Sequence, residues 1–187
     1  MDERVSDDRL EVRTGRLRLV AIDAELARLQ IADRDAFFDA VGAQSEAVWP
    51  PVPEDAPRLA EKLDILQKNP DERGWRGWVF LMGWTPGGLD RAVGTGGFFG
   101  PPDETGAIEI GYAMAASFRE QGLATEAVSG LLDWAFSHAN VKRVTAWTEP
   151  HLTASRRVLE KTGFTETGES PGPDGRPRVG YERLRED

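Results

Sequence analysis

The first residue whose type and position could serve catalysis is Glu109, a carboxylate between two isoleucines in the stretch AIEIGYAM of residues 107–114. A carboxylate inside a strand is costly unless it is paired, hydrated or used. On the two-residue period of a strand, Glu109 shares a face with Gly111 and Ala113, which are small and leave room beside it. If an apolar cleft raises its pKa, such a carboxylate can attract an ammonium group and then accept its proton. A hydrated edge carboxylate, or one paired with an arginine, explains the same position.

The second feature is a turn of small and polar residues that leads into a helix, R-E-Q-G-L-A-T at residues 119–125. The N–H groups at a helix N-terminus have no partner within the helix, and the macrodipole makes that end positive. Gly122 and Ala124 leave space for an anion such as a phosphate, and Gln121 and Thr125 add polar groups. An ordinary strand-to-helix turn explains these residues by backbone geometry alone.

Composition narrows the classes of function. The chain has 187 residues, a formal charge of -9, no cysteine and two histidines. So acidic a chain lacks the clustered basic residues of a nucleic-acid binder, and it attracts cations, amines included. Without cysteine there is no disulfide and no acyl-cysteine intermediate, and with two histidines no metal site is expected. The charged start and the lack of a long apolar run predict a cytoplasmic protein with no membrane partner.

Apolar periodicity predicts the elements that position these residues. Strands are predicted at residues 17–22, 75–84, 92–100, 107–114, 141–148, 163–169 and 178–184. Helices are predicted at residues 23–43, in two pieces broken near Asp33, and at 54–69, 122–139 and 153–162, the last ended by Gly163. This order predicts a single α+β domain over residues 1–187, with residues 1–9 frayed.

The aromatic and glycine residues of the first half favour packing roles. Trp75, Trp78 and Trp84 are predicted as strand aromatics in the core or on the sheet surface. The glycines of residues 92–100 do not form a dinucleotide-binding fingerprint, because Phe99 stands where the third glycine belongs and no helix follows.

Three motifs in order resemble the GNAT acetyltransferase superfamily, and specifically its RimJ/RimL-like branch. They are T-G-R-L-R-L at residues 14–19, E-I-G-Y followed by R-x-x-G-x-A at 109–112 and 119–124, and S-x-x-V-L-E-K-x-G-F at 155–164. The resemblance implies a GNAT-like, mixed, mostly antiparallel central sheet of about seven strands with one splayed strand pair, flanked by helices on both faces. It also implies transfer of an acetyl group from acetyl-CoA to a primary amine, by direct attack on the thioester.

The resemblance assigns roles to residues of this chain. Backbone N–H groups of the turn bind the CoA pyrophosphate, at Arg119, Gln121, Gly122, Leu123, Ala124 and Thr125. The pantetheine arm lies along the splayed strand at Tyr112, Ala113 and Met114, and an N–H near Ala113 polarises the thioester carbonyl. Glu109 resembles the general base of histone-acetylating relatives.

The departing thiolate has to be protonated or stabilised. Many relatives use a tyrosine on the helix after the fifth strand, where Leu159 stands here, and the tyrosines of this chain are Tyr112 and Tyr181. In the RimL-like branch the serine of an N-x-x-S pattern has this role. Ser155 matches that serine as a catalytic and CoA-binding residue, but Leu152 replaces the usual asparagine. Solvent as the acid, with Ser155 a plain first-turn residue, is the alternative.

The acceptor site is the least defined part. Beside Glu109, the sequence offers Trp49, Glu149 and His151 as substrate residues, with core packing for Trp49 and solvent exposure for the other two as alternatives. The resemblance implies a small-molecule amine or a protein N-terminus as the acceptor, and homodimers are common in the branch. Leu152 and the missing tyrosine motivate another function, a catalytically silent acyl-CoA-binding or sensing module. A scaffold without a ligand is a third.

Overall fold

The structure is a computed structural model that describes residues 9–52, 56–83 and 88–186. Trp84, the predicted fraying of the first residues and the predicted start of the helix at residue 54 lie outside the described residues. The strands are β1 (Glu11–Arg13), β2 (Leu17–Ala21), β3 (Ala43–Gln44), β4 (Trp78–Met82), β5 (Asp90–Phe98), β6 (Ala107–Met114), β7 (Arg143–Thr148), β8 (Thr165–Pro171) and β9 (Pro177–Leu184). The helices are α1 (Ala24–Ala32), α2 (Arg34–Val41), α3 (Ala56–Lys68), α4 (Leu123–Phe136) and α5 (Thr153–Lys161).

Within the described residues, nine strands form one sheet in the order β1-β2-β4-β5-β6-β7-β9-β8, with β3 paired beside β5. Neighbouring strands are antiparallel except for the parallel pairs β6–β7 and β3–β5. The predicted α+β fold with a mixed, mostly antiparallel sheet is confirmed. The two strands beyond the predicted seven or so are β1 and β3, whose three and two residues are too few to show a period.

Helices cover both faces of the sheet, as predicted. Alternate residues of one strand enter different cores: Leu19 lies in the core under α4 and α5, whereas Val20 lies in the core under α1, α2 and α3. The same alternation holds for Phe80 and Val79 in β4. Because both faces are buried, β4 is continuously apolar in sequence, and β2 is apolar except for Arg18.

Local signals explain most element ends. Asp33 ends α1 and also caps α2, because its side chain accepts a hydrogen bond from the N–H of Ala36 at 3.0 Å. The predicted break near Asp33 is therefore confirmed. Strand β4 begins only at Trp78, so the prediction of Trp75 as a strand residue is wrong. The N–H of Trp75 donates to Glu72 at 2.9 Å in the turn before the strand, and its ring is buried.

The glycines of β5 permit close packing around β6. A β-carbon on Gly94 would lie 2.7 Å from the carbonyl oxygen of Ala113, and one on Gly96 would lie 2.6 Å from the ring of Phe80. No ordinary side chain fits at either distance. These glycines are therefore required by the sheet itself.

The sheet opens between β6 and β7. The two strands pair only through residues 107–109 and 143–145, and pairing ends at Glu109 and Thr145. Beyond that point, residues 110–114 and 146–148 diverge and leave a gap in the sheet. This gap is the splayed strand pair predicted from the resemblance, and it lies directly before the turn into α4.

Candidate active site

The backbone of β6 presents unpaired groups to the gap. The N–H of Phe99 donates to the carbonyl of Glu109 at 3.1 Å. In an antiparallel ladder, this directs the odd-numbered residues of β6 toward β5 and the even-numbered ones toward β7. Pairing with β7 ends at Glu109, so the N–H groups of Tyr112 and Met114 face the gap without a ladder partner. The N–H groups that face the gap thus flank Ala113, whose own backbone faces β5.

The N–H groups at the start of α4 also lack hydrogen-bond acceptors. Gly122 caps the helix in a left-handed conformation, φ 75°, with no side-chain cap. Within the described residues, no hydrogen bond uses the backbone N–H of residues 120–125, whereas that of Glu126 donates to the Gly122 carbonyl at 3.1 Å. A β-carbon on Gly122 would meet only Arg16 Nη2, at 3.5 Å. The mouth of the helix is therefore open, with a row of free donors.

The conformation of the turn concentrates these donors. Glu120 also has a left-handed backbone, φ 60°, which is unusual for a residue other than glycine. Successive N–H groups in such a turn face one concavity, the arrangement of backbone anion sites. The turn therefore combines a sparsely populated backbone conformation with donors that lack partners, and such backbone conformations cluster at ligand-binding sites.

The side chains of the turn are folded back onto it. Arg119 Nε donates to the carbonyl of Met114 at 3.2 Å, and Gln121 Nε2 donates to the carbonyl of Ser117 at 3.1 Å. The other predicted residues of the turn are covered to different degrees: Leu123 is buried in the core, and Ala124 and Thr125 are half-buried. Main-chain N–H groups are therefore prominent among the polar groups that these two side chains leave without a partner.

A cluster that the sequence did not predict anchors the mouth of α4, and we call it the Arg16 clamp: Thr14, Arg16 and Glu126. The Glu126 carboxylate accepts hydrogen bonds from Thr14 Oγ1 at 2.6 Å, from the N–H of Arg16 at 2.6 Å and from Arg16 Nε at 2.7 Å. Arg16 Nη1 also donates to the carbonyl of Gln121 at 3.0 Å. Burial opposes ionisation of Glu126, but these hydrogen bonds outweigh burial and lower its pKa. The clamp ties the β1–β2 turn to the first turn of α4.

Glu109 lies where β6 and β7 separate. It is half-buried, and burial raises its pKa, while the positive charge of Arg178 acts in the opposite direction. Within the described residues, the Glu109 carboxylate has neither a hydrogen bond nor an ion pair. The predicted face is also observed, since Ile108 and Ile110 are buried in the core under α4 and Gly111 lies beside Glu109 on the other face.

Aromatic and basic side chains flank Glu109, and we call this surface the Glu109 face: Phe99, Glu109, Gly111, Trp147 and Arg178. A β-carbon on Gly111 would lie 3.0 Å from the Phe99 ring, so that ring covers the glycine. Phe99 is 67% exposed and Trp147 is 37% exposed, so helices α1–α3 do not cover this part of the sheet. The guanidinium of Arg178 lies 3.8 Å from the centre of the Trp147 ring.

Two predicted residues meet across the gap. The hydroxyl of Tyr112 donates to the carbonyl of Ser155 at 3.1 Å and lies 3.4 Å from Ser155 Oγ. Burial raises the pKa of Tyr112 to about 12. The sequence motif placed these residues on different elements, and the structure shows that their hydroxyl groups are neighbours.

Helix α5 is held so that Ser155 faces the gap. Arg156 Nε donates to the Tyr181 hydroxyl at 3.0 Å, and Arg156 Nη2 pairs with Glu166 at 3.0 Å. Leu159, at the position of the family tyrosine, is 1% exposed within the core, whereas the phenol of Tyr112 lies next to Ser155. Leu152, at the usual asparagine, is 45% exposed and makes no side-chain cap for α5.

The other predicted substrate residues are dispersed. Trp49 packs edge-on against Phe38 in the core under α1–α3, with ring centres 5.7 Å apart, which favours its core alternative. Glu149 and His151 follow β7 at the end near the gap and lie 3.5 Å apart, with exposed side chains. The structure therefore brings together Tyr112 and Ser155, and it places Glu109 on the same strand where the gap begins, but Trp49 packs elsewhere.

Other features of the described residues do not compete with the gap. A cavity of about 560 Å³ lies between the start of α1 and the end of α3, lined in part by Asp23, Glu25 and Asp71, but it is separate from the gap. No group of three or more His, Asp or Glu side chains in the described ranges is arranged to hold a metal ion. None of the helices described is both long and apolar enough to span a bilayer.

Comparisons with known proteins agree with this geometry. Residues 24–165 match the model of the acetyltransferase (GNAT) domain. The chain is 36% identical over 155 residues to the uncharacterized N-acetyltransferase YjdG of Bacillus subtilis strain 168, which covers 81% of this chain and 87% of that protein. These matches define the class of the protein as an acetyltransferase.

Solved structures share the fold. The ribosomal-protein-S5-alanine acetyltransferase of Vibrio fischeri superposes with a TM-score of 0.66 at 18% identity, covering 95% of this chain and 98% of that one. RimL, a ribosomal L7/L12 α-N-protein acetyltransferase in complex with coenzyme A, superposes with a TM-score of 0.63 at 16% identity, covering 94% and 98%. The chain belongs to the GNAT family of acetyltransferases, which use acetyl-CoA to acetylate amines.

Proposed function

We propose that this enzyme acetylates a primary amine by direct attack on the acetyl-CoA thioester, in a single domain that spans residues 1–187 and belongs to the RimJ/RimL-like branch. The N–H groups of residues 120–125 bind the pyrophosphate, Glu109 accepts the proton of the amine, and Tyr112 with Ser155 stabilises the leaving thiolate. The observation that carries the proposal is the accessible row of backbone N–H groups without acceptors at the start of α4, adjacent to the gap.

The residues of the mouth fit a diphosphate. Six consecutive residues, 120–125, keep their N–H groups free among the described residues, and Gly122 leaves the space in front of them open. The positive end of α4 adds to the attraction of an anion. Next to the turn, the free N–H groups of Tyr112 and Met114 face the gap, where they can donate hydrogen bonds to the extended pantetheine arm of CoA. One of them can donate to the carbonyl oxygen of the thioester.

Glu109 has the properties of a general base. An attacking amine must be neutral, but a free amine is protonated at neutral pH, so a carboxylate near the thioester has to hold and remove a proton. Burial raises the pKa of Glu109 and so strengthens it as a base, while the positive charge of Arg178 acts in the opposite direction. The absence of any other partner among the described residues leaves its oxygens free for the acceptor.

The pKa values of the phenol and of a thiol decide whether the hydroxyl groups transfer a proton to the thiolate or only donate hydrogen bonds to it. Burial raises the pKa of Tyr112 to about 12. An ordinary thiol has a pKa of about 8.5, so complete proton transfer from this phenol to a thiolate costs about 5 kcal/mol. A hydrogen bond to the thiolate has no such cost and contributes about 2 kcal/mol when one partner is charged. Ser155 therefore donates a hydrogen bond to the thiolate, Tyr112 joins it by turning its one proton from the Ser155 carbonyl to the thiolate, and solvent delivers the proton.

The silent-module alternative has less support. Its motives were Leu152 and the missing tyrosine on α5: Leu152 still leaves α5 without a side-chain cap, but Tyr112 places a phenol next to Ser155. The acceptor within the proposal is a small-molecule amine or a protein N-terminus, and two structural relatives act on ribosomal proteins by name. A homodimer and a cytoplasmic location stay predictions.

The test separates CoA binding from turnover. Glu109→Gln is compared with Glu182→Gln, a carboxylate on the same sheet face that pairs with Arg143 at 3.9 Å. CoA affinity is measured by calorimetry, and turnover is measured by thiol release against a panel of amines and N-terminal peptides. We expect both variants to bind CoA like the unmodified enzyme, and only Glu109→Gln to lose activity, by at least a hundredfold. Unchanged turnover in Glu109→Gln refutes the base, and failure of CoA to bind refutes the proposed mouth.

A further inference from the structure

We infer that the acceptor carries a carboxylate close to its primary amine, with Glu109 receiving the ammonium group and Arg178 receiving the carboxylate. The inference rests on the proposed role of Glu109 as the residue that binds the amine. It adds a second recognition element, on β9, that the sequence did not indicate. A free α-amino acid and a peptide with an acidic residue near its N-terminus share this chemistry.

Strand register places the two groups on one surface. Glu109 pairs with Thr145 in β7, and Trp147 pairs with Gly180 in β9. On the two-residue period of strands, Trp147 therefore shares the face of Glu109, and Arg178 shares the face of Gly180. Because β6 and β7 diverge beyond Glu109, this face is open at the level of Trp147.

Gly180 explains how Arg178 reaches toward the gap. A β-carbon on Gly180 would lie 2.8 Å from the Trp147 ring, so the indole lies flat across β9 where another residue would displace it. The guanidinium of Arg178 stacks on this ring at 3.8 Å. A stacked guanidinium is oriented by the ring while its N–H groups remain available for hydrogen bonds.

Neither Glu109 nor Arg178 has a hydrogen bond or an ion pair within the described residues, although the positive charge of Arg178 acts to lower the pKa of Glu109 at longer range. Within the described residues Arg178 makes no hydrogen bond and no ion pair, and its Nε is buried with no acceptor. Other arginines of the sheet differ, since Arg18 pairs with Glu11 at 3.1 Å and with Asp90 at 2.9 Å. A buried donor without an acceptor is unfavourable, and the same guanidinium carries further N–H groups, at its two Nη atoms, that an incoming carboxylate can bind. Glu109 is unpaired in the same way, with the opposite charge.

The arrangement selects against purely cationic acceptors. A polyamine satisfies Glu109 but brings further positive charge toward Arg178. An amine with a neighbouring carboxylate satisfies both groups, and a guanidinium binds carboxylate in a two-point geometry. The rings of Phe99 and Trp147 border the same face and suit an apolar portion of the acceptor.

The experiment uses matched acceptors with and without the carboxylate. The small-molecule pair is L-phenylalanine and 2-phenylethylamine, and the peptide pair is Ser-Asp-Ala-amide and Ser-Asn-Ala-amide. Binding of each to the full-length protein saturated with CoA is measured by calorimetry, and turnover with acetyl-CoA is measured by thiol release. The variants are Arg178→Met, which keeps a side chain that packs on the indole, and Arg176→Met, the control on the same hairpin, where Arg176 lies 3.6 Å from Asp174.

The expected result is about tenfold tighter binding of the carboxylated member of at least one pair, lost in Arg178→Met and kept in Arg176→Met. Which pair shows the preference distinguishes an amino acid from an acidic N-terminus. Equal binding of both members in both pairs overturns the inference, as does a preference that survives Arg178→Met. Because binding is measured without acetyl transfer, an absence of turnover counts against the proposed function and leaves this comparison intact.

Discussion

Replacing Arg16 tests whether the Arg16 clamp serves CoA binding or only the fold. Arg16 neutralises Glu126, a carboxylate in the first turn of the helix whose free N–H groups are proposed to bind the pyrophosphate. In Arg16→Met, that carboxylate remains beside the anion without its partner. We expect CoA to bind more weakly, because the two negative charges then repel each other.

The magnitude follows from the geometry of one helical turn. Glu126 lies about one turn from the mouth, so its charge is about 7 Å from a bound anion. With an effective dielectric of about 40, each unit charge of the anion contributes about 1.2 kcal/mol of repulsion, and salt at 0.15 M reduces this to about 0.5 kcal/mol. Two charges of a diphosphate give about 1 kcal/mol, which corresponds to about fivefold in Kd. Arg16 is half exposed, which keeps this value small.

A double-mutant cycle provides the control. Glu126→Gln removes the charge but keeps an oxygen for the donors Thr14 Oγ1 and Arg16 N–H. We expect calorimetry to give a CoA Kd for the double variant Arg16→Met, Glu126→Gln within twofold of the unmodified protein, and the fivefold loss of Arg16→Met to shrink at 1 M salt. If the double variant binds no better than Arg16→Met, the clamp acts through the fold and the electrostatic reasoning is wrong.

Three further predictions concern single residues. Gly122→Ala and Gly175→Ala both place a β-carbon at a left-handed position with space around it, φ 75° and 78°, so each should cost about 1 kcal/mol in thermal unfolding, while only Gly122→Ala weakens CoA binding in calorimetry. Tyr112→Phe should lower kcat about tenfold with CoA affinity unchanged, and rates between pH 6 and 10 should show no tyrosine ionisation because its pKa is about 12; an unchanged kcat contradicts this role. Burial raises the pKa of Glu109, so its contribution to stability is present below its unfolded-state value of 4.5 and is lost as the pH rises through the folded-state value. Glu109→Gln should therefore have a Tm at pH 7 at or above that of the unmodified protein, with the difference closing near pH 4, and a lower Tm at pH 7 contradicts the argument.

Local sequence patterns were sufficient for the elements that carry the gap. The strand at residues 107–114 was predicted with its observed bounds, because its apolar residues alternate over eight positions. The start of α4 was predicted from Gly122, whose left-handed conformation is a property of one residue. Such features depend on neighbours in the chain, so a sequence shows them.

The features that were missed depend on residues far apart in the chain. Arg16 and Glu126 are 110 positions apart, and nothing in the spacing of their own motifs joins them. Nothing in the sequence distinguishes Arg178 from the other residues of the last strand. Its position depends on Gly180, which leaves room for the Trp147 ring on which the guanidinium stacks. Trp49 was offered as a substrate residue with core packing as its alternative, and the sequence could not decide between them because the packing of Trp49 against Phe38 depends on tertiary structure.

Unpaired polar groups are expected to be expensive, so their distribution in a fold is informative. Trp49 Nε1 and Gln30 Oε1 are buried without partners away from the gap. Arg178 Nε, the third such buried atom in the described residues, lies on the Glu109 face, and two sets of more accessible groups without a protein partner border the same gap, the N–H groups of residues 120–125 and the Glu109 carboxylate. A protein that leaves donors and an acceptor unpaired around one opening is less stable alone than when both substrates supply their partners. CoA and a carboxylated amine together should therefore raise the Tm of the protein by more than a nonspecific anion does, because CoA supplies partners at the start of α4 and the amine supplies partners at Glu109 and Arg178.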